Sequence, residues 1–148
     1  MDPQTLSRLE ITFHVAGTPL PEPRPRFRKG GHVHAGTSAD PWKASVRQAA
    51  ARAVFEAQRG AWPTDMPVAV EIRLVMPGSK PWARPDGDNM EKAVLDALGS
   101  STADRWRWAP ILWTDDALVV DCHWRKFAGS SPGATVRVWL VDPQEYLE

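Results

Sequence analysis

Alternating apolar and polar residues mark four stretches of the chain as β-strands. In the first stretch Leu9, Ile11, Phe13 and Val15 alternate with polar residues, which is the period of a strand with one buried face. The four predicted strands are Leu9–Val15, Val68–Met76, Leu118–Arg125 and Ala134–Val141. The pattern therefore predicts a sheet that packs one of its faces on a core.

Apolar residues at helical spacing predict two helices. The first has Asp40 as its N-cap and Pro41 at its first position, and it continues to Gly60. The second has the i, i+3, i+4, i+7, i+8 pattern of a helix lying on a sheet and ends at Gly99. Its apolar residues are Met90, Ala93, Val94, Ala97 and Leu98.

A proline-rich segment separates the first strand from the first helix, and its Gly30-Gly31 step predicts a small hairpin. The order of elements is then strand, hairpin, helix, strand, helix, strand, strand. This order predicts an α+β fold with one mixed sheet and two helices packed on one face. The length of 148 residues suits one domain, which we assign to residues 1–148.

Composition removes several classes of function. The 18 basic and 18 acidic residues cancel to a net charge of +0, so any attraction to nucleic acid has to be local. Neither an export signal nor a membrane span is evident, and the single cysteine, Cys122, has no partner for an internal disulfide. We therefore expect a cytoplasmic protein that has no contact with membranes and binds no organic cofactor.

Two aspartates, Asp86 and Asp88, stand one residue apart at the start of the second helix. Helical spacing puts Asp88, Lys92 and Asp96 in one stripe that points away from the core. One interpretation is structural: Asp88 and Glu91 have the spacing of a capping box, and the stripe consists of ordinary i, i+4 ion pairs. Taken alone, this stretch favours the structural interpretation.

A second acidic pair, Asp115-Asp116, precedes a predicted strand, where a chain returning across the sheet can bring it beside the first pair. Three or four converging carboxylates are costly without a cation. Oxygen ligands suit Mg²⁺, with Mn²⁺ as a substitute, and such a site hydrolyses phosphodiesters. In that arrangement Lys92 supplies a positive charge at the phosphate.

Basic residues near these aspartates predict contacts with DNA phosphates. One group, Arg24, Arg26, Arg28 and Lys29, lies in the predicted hairpin. The other group consists of Lys80 and Arg84, just ahead of the first aspartate pair. The structural alternatives are an edge hairpin protected by its charges and residues that serve solubility alone.

The stretches "DGDNMEKAVLDAL" and "DDALVVD", together with the upstream "GTPLPEPRPR", resemble the motifs of the RusA family of Holliday junction resolvases. The resemblance implies a Mg²⁺-dependent, homodimeric endonuclease of bacteria or phages that nicks four-way DNA junctions symmetrically in recombination and repair. It places the family's metal-binding aspartates at Asp86, Asp88 and Asp116 and its essential lysine at Lys92. Asp115 is a possible further ligand. The loop between Leu98 and Asp115 departs from the compact members of the family in its length.

Two alternatives remain open. The first is a metal nuclease that acts on flaps or other branched DNA. The second is a protein that binds branched DNA without cleaving it, in which the carboxylates are helix caps and solvated charges. In a binder of that kind, neutralising Asp86 should strengthen DNA binding and remove no activity.

Overall fold

The computed structural model describes residues 9–23, 26–27, 33–34, 36, 38–57, 60–99 and 109–148. Within these ranges the strands are β1 (Glu10–Ala16), β2 (Arg26–Phe27), β3 (Val33–His34), β4 (Val68–Pro77), β5 (Val119–Gly129) and β6 (Gly133–Leu140). The helices are α1 (Asp40–Ala57) and α2 (Gly87–Leu98). Short 3-10 turns occupy Asp116–Leu118 and Pro143–Tyr146.

The four long strands form one mixed sheet in the order β1-β6-β4-β5. β6 runs antiparallel to both of its neighbours, whereas β4 and β5 are parallel. Parallel neighbours need a crossover connection, and α2 lies in the connection between these two strands. The crossover decides the position of the acidic pairs, because one pair follows β4 and the other precedes β5.

Both helices contribute to a single core against the sheet. α1 packs on β1 and on α2, and α2 packs on β5. The apolar stripe predicted for the second helix is fully buried, and so is the inward-facing row of β4. These core residues are Met90, Ala93, Val94, Ala97, Leu98, Val68, Val70, Ile72 and Leu74. The predicted α+β fold, one mixed sheet covered by two helices, is confirmed.

The period-two pattern fails at one position in β5. Alternation groups Val120 with the apolar row of its strand, yet this side chain is 41% exposed. The register of β4 and β5 shifts here, because Val68 pairs with Val119 whereas Ala69 pairs with Asp121. Val120 is the extra residue of a β-bulge, and it is therefore turned away from the core.

The proline-rich segment forms the hairpin that the sequence predicts. β2 and β3 pair antiparallel, with Arg26 opposite His34. The predicted turn at Gly30-Gly31 lies outside the described residues. None of the helices in the described ranges is long and apolar enough to span a membrane.

Candidate active site

A segment rich in turns connects β4 to α2 and carries the first aspartate pair. It begins at Gly78, whose φ of 101° is readily adopted by glycine alone. A tight turn follows, in which the Ala83 N–H donates to the carbonyl of Lys80 at 3.1 Å. Asp86 has extended backbone, and α2 begins at the next residue. The pair therefore stands where the helix presents unbonded N–H groups, a favourable place for anions.

The structure does not form the capping box that the spacing of Asp88 and Glu91 suggests. The N-cap of α2 is Asp86, and Asp88 lies inside the first turn. The side chain of Asp86 makes no capping hydrogen bond either. Both aspartates are exposed. Helix capping therefore does not explain why two carboxylates occur together here.

A lysine from β5 fixes the backbone just ahead of the pair. The ammonium group of Lys126 donates to the carbonyl of Ala83 at 2.7 Å and to that of Pro85 at 2.8 Å. Both acceptors are backbone groups within three residues of Asp86. Hydrogen bonds from a charged donor are about twice as strong as neutral ones, so Lys126 sets the position of this segment on the sheet.

Close contact with β5 fixes the start of α2 as well. Gly87, the first residue of the helix, lies against the indole ring of Trp124. A Cβ atom at position 87 would overlap three atoms of that ring. Glycine is required here because the backbone approaches the ring too closely for any side chain. The aspartate pair thus flanks a residue that is pressed against the sheet.

The charged side chains along α2 are exposed near the start of the helix and partly buried near its end. Asp88 and Lys92 are exposed, but Asp96 is half-buried and lies near Lys43 of α1. The Lys43 ammonium lies 4.0 Å from the Asp96 carboxylate and pairs with Glu22 on its other side. Burial first and the Glu22 charge second raise the pKa of Asp96 to about 6, against the opposing effect of Lys43 and Lys92. The predicted solvent-facing stripe therefore ends before Asp96.

This raised pKa predicts a dependence of stability on pH. The folded protein binds a proton at Asp96 more tightly than the unfolded chain does. The protonated Asp96 carboxyl therefore contributes to stability below about pH 4, and this contribution is lost as the pH rises through about 6. We expect Asp96→Asn to remove this loss and to raise the free energy of unfolding at pH 7.5 by about 1 kcal/mol, after allowance for solvent screening. Urea denaturation at pH 4.5 and 7.5 in EDTA measures the difference. The exposed Asp65→Asn variant should follow the wild type, and an unchanged pH slope in Asp96→Asn would contradict the assignment.

The second acidic pair has bonding partners of its own. Asp115 is the N-cap of a 3-10 turn, and its Oδ1 accepts from the N–H of Ala117 at 2.9 Å. Asp116 Oδ1 accepts from the indole Nε1 of Trp113 at 2.9 Å. A Cβ atom on Gly99 would meet that same carboxylate oxygen. Asp116 therefore lies beside the C-terminal end of α2.

The two pairs are not brought together within one chain. Asp88 is in the first turn of α2, whereas Asp116 contacts the glycine that follows the last residue of that helix. Eleven residues at about 1.5 Å each separate these two ends by about 16 Å. In the described part of the chain, no three His, Cys, Asp or Glu side chains lie close enough together to hold a metal ion. The convergence predicted from the sequence is absent from the single chain.

The predicted basic residues fall into two groups. Lys80 and Arg84 are both exposed on the segment that leads to Asp86, just ahead of the aspartate pair. Arg24, Arg28 and Lys29 lie outside the described residues. For Arg26 the structure gives the backbone, which is part of β2.

Lys126, Trp124 and Gly87 are the residues that sequence reasoning missed. One signal was available, because Lys126 falls on the apolar row of its strand with Cys122 and Trp124, where a charge needs a partner. The side chain of Cys122 is partly buried and packs against the core. Its pKa is raised to about 12 by burial and by Glu91, so it is not a reactive thiol.

Comparison with known protein families identifies the family of this chain. The family described as endodeoxyribonuclease RusA matches residues 16–139, a range that includes both acidic pairs, Lys92 and most of the sheet. The chain belongs to the RusA family. Membership implies the Holliday junction nuclease activity of that family. A search of curated proteins finds no match.

Proposed function

We propose that this chain is a single-domain, Mg²⁺-dependent endonuclease that resolves four-way DNA junctions in recombination and repair. One observation supports this beyond family membership: Asp86 and Asp88 are both exposed at the start of α2, and the side chain of Asp86 makes no capping hydrogen bond there. Two carboxylates at so short a spacing repel each other, and a cation bound between them relieves this repulsion. A protein that only binds DNA gains nothing from negative charge facing phosphates.

The donor set fits magnesium. Carboxylate oxygens are its preferred protein ligands, and Mg²⁺ usually keeps several waters while taking one or two carboxylates and a substrate phosphate. Asp86 and Asp88 would hold the ion, with Mn²⁺ able to replace it. Bound there, the metal supplies an activated water and stabilises the developing charge on the phosphate. Asp115, whose carboxylate caps a turn, is the weakest candidate ligand.

The remaining residues bind and orient the DNA. Lys92 lies one helical turn after Asp88 and is exposed, so its ammonium can neutralise the phosphate that is cut. Lys80 and Arg84 would hold neighbouring phosphates along the same strand. We assign the same role to the hairpin residues Arg24, Arg26, Arg28 and Lys29. Local positive charge then offsets the neutral balance of the whole molecule.

A homodimer accounts for the separation of the acidic pairs. An ion held by Asp88 cannot also take Asp116 of the same chain, since the two lie at opposite ends of α2. In the proposed homodimer, Asp116 of the partner subunit completes the site. The two-fold symmetry of such a dimer matches two symmetric cuts across a four-way junction.

Cleavage of a panel of DNA substrates tests the proposal. The purified protein is incubated with a labelled four-way junction, a flap and a matched linear duplex, each with Mg²⁺ and with EDTA. We expect paired nicks in the junction alone, and only with the metal. Preferential cutting of the flap would favour the other branched-DNA nuclease, and tight junction binding without cleavage in Mg²⁺ or Mn²⁺ would favour the non-catalytic binder.

Lys126 acts in this proposal as a positioning residue. We expect Lys126→Met, which keeps the unbranched shape and most of the length of the side chain, to reduce cleavage by about 10- to 100-fold and to raise the Mg²⁺ concentration needed for half-maximal rate. The reason is that the backbone carrying Asp86 loses two charged hydrogen bonds. The measurement is the cleavage rate as a function of Mg²⁺ concentration, with folding verified by circular dichroism.

Lys126→Arg is the matched variant, since it retains the charge and several donors and should recover part of the activity. A Lys126→Met protein that is folded and has the wild-type dependence on Mg²⁺ would show that the segment is positioned by other contacts.

A further inference from the structure

The turn ahead of Asp86 exposes a tryptophan. Trp82 is 78% exposed, while three other tryptophans of the described chain, Trp42, Trp62 and Trp113, are at most 7% exposed. A large aromatic side chain left in water forgoes about 1.5–3 kcal/mol of burial energy. Such exposure next to a proposed active site suggests that the ring has a ligand.

Hydrogen bonds hold the backbone of the turn that carries Trp82 in place. Trp82 lies within the turn closed by the hydrogen bond between the Ala83 N–H and the Lys80 carbonyl at 3.1 Å. Lys126 fixes the next part of the segment through the carbonyls of Ala83 and Pro85. The indole is therefore presented from an anchored turn, which lowers the entropy lost when a ligand binds.

Two cations close to Trp82 in the sequence indicate the kind of ligand. Lys80 and Arg84, each two residues from Trp82, are exposed and positively charged. An aromatic ring between cations is the arrangement that binds single-stranded or unpaired nucleic acid, where bases stack on the ring and phosphates lie on the cations. A protein partner would favour a wider apolar surface, and the residues on either side of Trp82 in this turn, from Lys80 to Arg84, include no second large apolar side chain.

We propose that Trp82 stacks on a base that opens at the branch point of the DNA and so places the adjoining phosphate at Asp86 and Asp88. This inference rests on the proposed function and names the feature of the substrate that the site selects. A linear duplex offers no unpaired base without the energy of opening a base pair, whereas a branch point has weakened stacking. Trp82 thus contributes to the preference for branched DNA.

Binding measured in EDTA tests this inference separately from cleavage. We expect Trp82→Ala to bind a four-way junction with an affinity at least about tenfold lower than that of the wild type. Its affinity for a matched linear duplex should be nearly unchanged. Trp82→Phe keeps a ring for stacking and should retain most of the affinity. Phe55→Ala is the matched control, because Phe55 is 82% exposed on α1 and should have no effect on either substrate.

Photo-cross-linking locates the contact. A junction carrying 5-iodouracil at its branch point is irradiated with the protein in EDTA, and the linked peptide is identified by mass spectrometry. We expect a cross-link at Trp82 that Phe55→Ala retains. An unchanged affinity of Trp82→Ala for the junction would overturn the inference. A changed oligomeric state of Trp82→Ala, measured by sedimentation, would also overturn it, because the ring would then be a contact between subunits. A wild type that cross-links at Trp82 but cuts no DNA would leave the stacking contact intact and refute the proposed catalysis.

Discussion

We expect Asp88→Asn to bind the four-way junction at least as tightly as the wild type does. We expect it to cleave the junction at a rate at least about a thousandfold lower. Removing one carboxylate would lower the affinity for the proposed metal ion, which would contribute several kcal/mol of stabilisation to the transition state. It also removes a negative charge that repels the DNA phosphates. The measurements are cleavage rate in Mg²⁺ and junction affinity in EDTA, with Asp65→Asn as an exposed control that should behave like the wild type. Loss of binding together with cleavage would show that Asp88 maintains the fold instead.

Mixing two inactive proteins tests whether the site is shared between subunits. In a dimer of one Asp88→Asn subunit and one Asp116→Asn subunit, one shared site carries both substitutions and the other carries neither. We expect such mixtures to recover nicking of one strand, although each variant alone is inactive. If each subunit holds its own Asp88 and Asp116 at one ion, both sites of the mixed dimer are damaged and no activity returns.

Gly87→Ala should produce the largest loss of stability. The new methyl group would overlap the ring of Trp124, so either the ring or the start of α2 has to move. We expect the free energy of unfolding to fall by about 3 kcal/mol, at the upper end of the range for an overpacked contact, and cleavage to fall with it because Asp86 and Asp88 flank the displaced residue. Urea denaturation and junction cleavage measure the two effects.

Two further variants determine whether the contact between residue 87 and Trp124 causes this loss of stability. Trp124→Leu removes the overlapping ring atoms, so Gly87→Ala should cost much less in that background than in the wild type. Gly60→Ala places the same methyl group where no atom lies within 4 Å, and its stability should be nearly unchanged. Additive losses in the double variant would show that Gly87 is needed for a reason other than Trp124.

Local periodicity was sufficient for most of the fold. Burial of Ile11, Phe13 and Val15 in β1 and of Met90 and Val94 in α2 follows directly from periods of two and 3.6 residues. The exposure of Val120 could not be predicted from the sequence, because a bulge depends on the register of a neighbouring strand and does not change the alternation of apolar and polar residues.

The family could be predicted from the motifs, but the arrangement of the candidate site residues could not. The motifs singled out Asp86, Asp88, Lys92 and Asp116 and the family that they indicate. Their positions depend on β4 and β5 being parallel, and the direction of pairing is a property of the whole sheet. Once the strands are parallel, the end of β4 and the start of β5 lie at opposite edges, so the acidic pairs are held apart. The role of Lys126 was hidden for the same reason, since its two acceptors precede it by 43 and 41 residues.

The link between Lys126 and the segment ahead of Asp86 also has a consequence for the order in which the molecule folds. Contacts between residues so distant in sequence require the closure of a long loop, and parallel pairing of this kind forms slowly. The anchored segment can reach its final shape only after β5 has joined β4. A chain that has made its helices and its antiparallel strands, but not this last pairing, would therefore have most of a fold and no working arrangement of Asp86 and Asp88.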